Sequence, residues 1–303
     1  MAKGSTDEVE SQVLYELRGD AAWIIINRPE KRNAMTGPMR ERIMALLHES
    51  ERNDAVRAIV FTGAGEHFTS GADLGLAYAK YEAHEAQYQP RPEGQEARRR
   101  TSQRTRLFVD RYDMADTLRK FTYCTKPIIV RAQGISLGLG SFIILASDIC
   151  IASEDARIGF PEELIGFSGA NPMLLSLIYS VGLKRSREMM LFGKVMSGAE
   201  ATEVGLINRA VPRAQLDEEV ERYLDQIRQI PKDGLAIGRY ALNMAYDKLG
   251  METQLVNWTA LHTLFTNLRY EPGEYSLVKM RSQKGAKAAF PLAQKKPSRP
   301  ADK

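Results

Sequence analysis

Residues Lys126–Ala152 read KPIIVRAQGISLGLGSFIILASDICIA, and this stretch decides the fold class. Pro127–Arg131 is a short apolar run of the length and composition of a buried strand. Gly134, Gly138 and Gly140 then mark a sharp corner, and Ser141–Ala146 follows as an apolar helix. Asp148–Ala152 is a second buried run. Strand, corner, helix and strand make the repeating unit of an α/β protein with a parallel sheet.

Working outward, the same alternation appears upstream. Val13–Leu17 and Ala22–Asn27 read as a hairpin turned by Arg18-Gly19-Asp20. Residues 37–52 carry Met39, Ile43, Leu46 and Leu47 at helical spacing. Arg57–Phe61 is another short strand, ended by Thr62-Gly63-Ala64-Gly65. A long arginine-rich stretch follows Asp73 and turns helical around Leu107–Phe121. Downstream of Pro172 the patterns predict helices over Pro172–Val181, Ser186–Leu191, Gln215–Ile230, Gly234–Leu249 and Glu252–Leu268, with one short strand at Ile207–Val211. The expected organisation is a flexible N-terminus over 1–12, a core over 13–212, a helical region over 213–290 and a basic, disordered tail over 291–303.

The 303 residues are 44% hydrophobic and 26% charged, enough to build a sizeable core. No apolar run is long enough to span a membrane, and the polar start MAKGSTDEVE has no signal-peptide core. The final Ala301-Asp302-Lys303 is not a peroxisomal address. Cys124 and Cys150 lack metal-ligand spacing, and His48, His67, His84 and His262 form no HxxxH pair; neither zinc nor a disulfide is expected. A reduced, cytoplasmic protein follows as the expectation. The net charge of +4 gathers in seven arginines between Arg91 and Arg111 and in the basic tail. A solvated surface is the plain reading of these patches, and nucleic acid is not an expected partner.

The glycine corner admits three readings. Gly134-Ile135-Ser136-Leu137-Gly138 fits G-x-S-x-G, the elbow of serine hydrolases. His262 is the only downstream histidine, however, and it sits inside a helical pattern. A dinucleotide loop would need glycine where Ile143 stands. The third reading joins this corner to Phe68-Thr69-Ser70-Gly71-Ala72-Asp73-Leu74, which leaves the Arg57–Phe61 strand. Glycines at both corners let backbone N–H groups approach a ligand, and the second corner opens a helix, whose N-terminus favours negative charge. Two N–H groups converging on one oxygen make an oxyanion hole.

At this point the chain resembles the crotonase, or enoyl-CoA hydratase/isomerase, family over about residues 13–290. The resemblance rests on Asn27-Arg28-Pro29-Glu30-Lys31-Arg32-Asn33-Ala34-Met35, on the FTSGADL segment and on KPIIVRAQG…GLG…ASDICIASEDARIGFPE. It extends through Ala201–Pro212 and the KGAKAAF segment near the C-terminus. It implies a spiral of ββα units with a C-terminal helical trimerisation region, assembled as a homotrimer or hexamer. It also implies an acyl-CoA thioester as substrate, with no separate cofactor.

By the same resemblance, the N–H groups of Ala72 and Leu139 match the oxyanion hole and Glu162 matches a catalytic acid/base. Lys31 and Arg32 match contacts to the nucleotide end, although a solvated turn explains them too. Ala34, Ser70, Gly71, Ala72, Asp73 and Leu74 border the coenzyme. Leu137 and Gly138, with Phe142, Tyr78, Tyr81 and Tyr123, are expected around the acyl group, although core packing explains Phe142 equally well. Two departures bear on mechanism. The family's other hydratase glutamate would stand at position 142, where this chain has phenylalanine, and Pro172 alters the segment after Glu162. Both favour single-carboxylate chemistry: isomerisation, hydration of a bulky or aromatic enoyl thioester, or hydratase-lyase or C–C hydrolase activity. An inactive acyl-CoA binder and an RNA-binding relative are the readings from other classes.

Overall fold

Every residue of Ala21–Ile26 (AAWIII) is buried, which a strand achieves when both faces of its sheet are covered. In the computed structural model, which describes residues 6–74, 102–162 and 171–265, this strand is β2. It pairs antiparallel with β1 (Val13–Arg18) and parallel with β3 (Ala58–Gly63). The parallel ladder continues through β4 (Ile128–Ala132), β6 (Ile149–Ser153) and β9 (Arg209–Val211). A smaller sheet joins β5 (Ile135–Leu137), β7 (Arg157–Gly159) and β8 (Val195–Ser197). Two single bridges, Thr69 to Ser136 and Met35 to Ala72, continue the small sheet backward along the chain. Successive turns of chain thus send one segment to each sheet, a spiral of α/β units.

Side chains on the large sheet alternate between two cores, as the period of two requires. Ile24, Ile26, Ile59, Phe61, Ile128 and Val130 face the main core. Trp23, Ile25, Val60, Ile129 and Ile151 face the other side. Helix α1 (Thr6–Gln12) precedes β1, and α2 (Gly37–Arg52) follows β2. The α2 helix starts at Thr36, whose hydroxyl accepts the Met39 N–H at 3.4 Å, and it turns Met39, Ile43, Leu46 and Leu47 into the main core. Next come α3 (Gln103–Asp110), a π turn over Arg111–Ala115, α4 (Asp116–Thr122) and α5 (Leu139–Ala146). After them stand α6 (Leu174–Phe192), α7 (Gly198–Glu203), α8 (Leu216–Arg228), α9 (Lys232–Lys248) and α10 (Met251–Phe265).

The N-terminal segment is not all flexible: α1 is helical, and Asn27 ties it down by donating from its backbone to Gln12 and from its side chain to Ser11. The two helices expected over Pro172–Val181 and Ser186–Leu191 both form within Leu174–Phe192, parted at Gly182, whose φ of 76° and ψ of 169° are not helical. The apolar stripe Leu216, Val220, Leu224 and Ile227 of α8 packs on the outer face of the large sheet, with Leu216 and Val220 fully buried. Among the described residues, no helix is long and apolar enough to cross a membrane.

Candidate functional site

The PEKRN turn after β2 is held in a costly shape. Arg32 and Asn33 both have positive φ, 51° and 55°, which costs roughly 1 kcal/mol or more for a residue with a side chain. Asn33 supplies the compensation. It is fully buried; its Oδ1 accepts the Arg28 N–H at 2.9 Å, and its Nδ2 donates to the Ala64 and His67 carbonyls at 2.9 and 2.7 Å. The turn is thereby stitched to the loop that leads out of β3. Arg28 adds an ion pair of 2.7 Å to Asp73 and donates to the Ala34 carbonyl at 3.2 Å.

The first glycine corner follows from these ties. Met35 donates its N–H to Gly71 at 2.8 Å and accepts the Asp73 N–H at 2.9 Å. In a parallel bridge of this kind, the residue between the two bonded partners turns its own N–H to the other side. The Ala72 N–H therefore faces away from Met35, toward the second corner. Gly71 has φ of 98°, and a Cβ added there would stand 2.9 Å from the Leu137 carbonyl oxygen and 3.2 Å from the Leu139 nitrogen. Only glycine lets the two corners come this close.

At the second corner, Gly138 adopts φ 55° and ψ −119° and caps α5, whose first residue is Leu139. Its N–H donates to the Gly159 carbonyl at 3.1 Å, and the Ser141 hydroxyl donates to the Ser136 carbonyl at 2.6 Å and accepts the Gly159 N–H at 3.0 Å. The corner is thus clamped to β7. Among the described residues, no acceptor takes the N–H of either Ala72 or Leu139. The two donors lie on adjoining corners, Ala72 half-buried and Leu139 buried, and Leu139 also stands at the positive end of α5.

Glu162 reaches the same place from β7. The chain passes through Phe160, 1% exposed, and Pro161 to a short helical turn that holds Glu162 half-buried. Its Oε1 lies against the Gly138 Cα so closely that a Cβ there would overlap it. One residue thus brings a carboxylate beside the N–H of Leu139. Phe142, one turn into α5, stacks on Phe160 with ring centroids 5.3 Å apart and is 5% exposed. Two stacked apolar rings therefore stand one turn into the helix that the second corner opens.

The remaining candidates scatter. Lys31 and Arg32 are exposed on the turn, and Ala34, Ser70, Asp73 and Leu74 are half-buried beside it. Leu137 is half-buried in β5. Tyr123 is not at the corners. Its hydroxyl donates to Asp247 at 2.6 Å, and its neighbour Thr125 donates to Glu51, near the end of α2 opposite the one that starts beside Met35. That helix is about 24 Å long at 1.5 Å per residue, and Tyr123 stands toward the end of it remote from Met35. Tyr78, Tyr81 and residues 163–170 lie outside the described residues. The serine-elbow reading also fails: Ser136 is fully buried in the small sheet, and His262 is engaged by Asp110 at 2.5 Å and stacked on Trp258. A recess of about 480 Å³ opens beside the turn, lined by Pro29, Glu30, Arg32, Ala64, Gly65, Glu66 and His67; no glycine-corner residue lines it. Arg28, Asn33 and Thr69, which build the corner, lay inside the quoted motifs without being singled out. Their part depends on a left-handed turn that spacing does not reveal.

Comparison with known proteins identifies the family. The enoyl-CoA hydratase/isomerase family model matches residues 21–268. A hydroxycinnamoyl-CoA hydratase-lyase of Pseudomonas fluorescens is 32% identical over 206 residues, 68% of each chain. A mevalonyl-coenzyme A hydratase of Beauveria bassiana is 29% identical over 225 residues, covering 74% of this chain and 75% of its own. The crystal structure of an enoyl-CoA hydratase/isomerase from Xanthobacter autotrophicus Py2 superimposes with a TM-score of 0.76 at 29% identity, over 92% of this chain and 96% of that one. The family match spans most of the chain and the fold superimposes throughout: the chain belongs to the enoyl-CoA hydratase/isomerase family and is a crotonase-type acyl-CoA enzyme.

Proposed function

We propose that this enzyme adds water to, or moves, the conjugated double bond of an enoyl-CoA thioester with one carboxylate. The N–H groups of Ala72 and Leu139 take the thioester oxygen, and Glu162 handles the proton. The single observation that carries this is the Glu162 carboxylate pressed against Gly138, next to the Leu139 N–H, with Phe142 on the neighbouring turn. For hydration, Glu162 removes a proton from water as oxygen bonds to Cβ. Charge moves to the thioester oxygen, and the protonated carboxyl then returns the proton to Cα. For migration of the double bond, the same group takes a proton at one carbon and returns it at another. In either case the negative charge develops on one oxygen, and a preorganised N–H donor is worth roughly 3–4 kcal/mol there.

In this reading the exposed Lys31 and Arg32 meet the coenzyme's phosphates, with Ala34 and the Ser70–Leu74 backbone along its nucleotide end. The stacked Phe142 and Phe160 favour a bulky or aromatic acyl group. A second reading comes from the 32% identity to a hydroxycinnamoyl-CoA hydratase-lyase. After hydration, Glu162 would remove the β-hydroxyl proton, the Cα–Cβ bond would break to an aldehyde and an enolate, and the carboxyl would protonate Cα. Crotonyl-CoA and 4-hydroxycinnamoyl-CoA, with product analysis by mass spectrometry, separate a hydrated thioester from an aldehyde plus acetyl-CoA. Glu162→Gln is expected to lower kcat by about 10²–10⁴-fold, with thioester binding retained because the N–H donors stay. Full activity in Glu162→Gln would remove this mechanism.

A further inference from the structure

One buried residue touches both glycine corners. Thr69 is fully buried. Its backbone N–H donates to the Ile135 carbonyl at 3.0 Å, and its own carbonyl accepts the Leu137 N–H at 3.1 Å. Its hydroxyl donates to the Asn33 carbonyl at 2.6 Å and accepts the Gly71 N–H at 3.0 Å. The Cγ2 methyl packs beneath the start of α5, 2.6 Å from where a methyl on Gly140 would lie.

These contacts fix a direction. A threonine hydroxyl has one hydrogen to give, and here it goes to Asn33, which leaves a lone pair for Gly71. The peptide before Gly71 is therefore held by Thr69, and the peptide after it by Met35 through the Gly71 carbonyl. That second peptide carries the Ala72 N–H. Glycine at φ of 98° has little of its own to resist rotation of either peptide; without the hydroxyl, the Gly71 N–H would be left buried and unsatisfied, which favours a flip. We infer that Thr69 is a positioning residue for the oxyanion hole: its hydroxyl fixes the peptide before Gly71, and through that glycine the orientation of the next peptide, which bears the Ala72 N–H, while its methyl and backbone set the Leu139 N–H against it. This rests on the reading of Ala72 and Leu139 as the donors to the thioester oxygen.

The test compares Thr69→Val, which keeps the branched shape and the methyl but loses the hydroxyl, with Thr69→Ser, which keeps the hydroxyl. Cinnamoyl-CoA is the probe, bound to the Glu162→Gln protein so that it stays unreacted. Hydrogen bonds to its carbonyl move its near-ultraviolet absorption to longer wavelength. In the Thr69→Val background the thioester is expected to bind within about threefold of the parent affinity, with most of the spectral shift lost, while Thr69→Ser retains the shift. With Glu162 present, Thr69→Val is expected to lower kcat by about 10²-fold, the lower end for loss of one oxyanion donor, with KM little changed. An undiminished shift and kcat in Thr69→Val would overturn the inference, because a merely structural threonine would alter only the melting temperature. Absence of a shift on binding to the Glu162→Gln parent would instead remove the Ala72 and Leu139 reading, and this inference with it. Should Thr69→Val not fold, Thr69→Cys decides: its weakly accepting thiol is expected to diminish the shift, and a full shift there overturns the inference.

Discussion

His67 shows how much a single protonation state can hold. It sits between the loop after β3 and β5, and its Nδ1 accepts the Ile135 N–H at 3.3 Å. The Ile135 carbonyl in turn takes the Thr69 N–H, so the ring supports the ladder that joins the two corners. Only neutral imidazole has a lone pair at Nδ1 to accept with. Burial lowers the pKa of His67 below 6.5 against the pull of Glu66, and the positive charges of Arg32 and Arg213 push the same way as burial. The folded state then binds fewer protons than the unfolded chain, so the stability from this contact is complete above pH 6.5 and is lost as pH falls through the lower folded value. Melts between pH 8 and pH 5 are expected to drop on the acid side in the parent and to flatten in His67→Gln, whose amide oxygen accepts without titrating. Equal acid slopes in both proteins would assign the loss to other groups. The same residue marks a limit of sequence reading. Ala72, Leu139 and Glu162 stood out because they lie at motif positions tied to chemistry, whereas His67, Asn33 and Thr69 act by fixing backbone shape. Nothing in their spacing announces a fully buried asparagine under a left-handed turn.

Elements were legible in proportion to their length. Strands of five or six buried residues and helices of two turns or more repeat their pattern often enough to be read. The small sheet was not, because β5, β7 and β8 are three residues each and lie against glycine corners and turns, whereas the equally short β9 stands in the longer, mostly apolar run Leu206–Val211. The π turn over Arg111–Ala115 is a second case, since one extra residue hides inside a continuous helical pattern. Its role is legible only in three dimensions. Asp113, in that turn, forms two hydrogen bonds of 2.7 Å to the guanidinium of Arg40, which also donates to the Met35 carbonyl at 3.2 Å. The widened turn thus reaches, through one buried arginine, the residue that holds Gly71 and Asp73. The Arg40 side chain is 5% exposed and that of Asp113 17%, so removing one partner leaves a buried charge. Arg40→Met is expected to cost about 3–5 kcal/mol by denaturant unfolding, and Asp113→Asn less, because a neutral acceptor remains. A double-mutant cycle checks the pairing: additive losses would show that the two side chains act independently.

At the scale of the whole molecule, the apolar surface left over points to assembly. The α8 stripe is already covered by this chain's own sheet, and the uncovered apolar surface lies elsewhere. Helix α9 supplies a better one. Ile237, Tyr240 and Met244 are 70%, 64% and 59% exposed, and their spacing puts them on one side of the helix. Leu261 and Leu264 on α10, with Leu191 and Phe192 at the end of α6, add further exposed apolar side chains. A monomer rarely leaves so many large apolar groups in water across neighbouring helices. The same helices follow the catalytic spiral in the chain, in the region the family resemblance reads as trimerising. The anchoring of α9 also suits a surface that must stay rigid: Arg239 pairs with Asp148 at 3.0 Å and donates to the Thr122 carbonyl at 2.8 Å, so its inner side is fixed to the core. We therefore expect three or six chains per particle by light scattering at micromolar concentration. Charge placed on the exposed side of α9, as in Ile237→Glu with Tyr240→Glu, should dissociate the particle with the circular dichroism of the fold retained, because neither side chain belongs to the core of a single chain. A parent protein that scatters as one chain would leave these helices without a partner and remove the assembly; a charged variant that still scatters as three or six would place the interface elsewhere than α9.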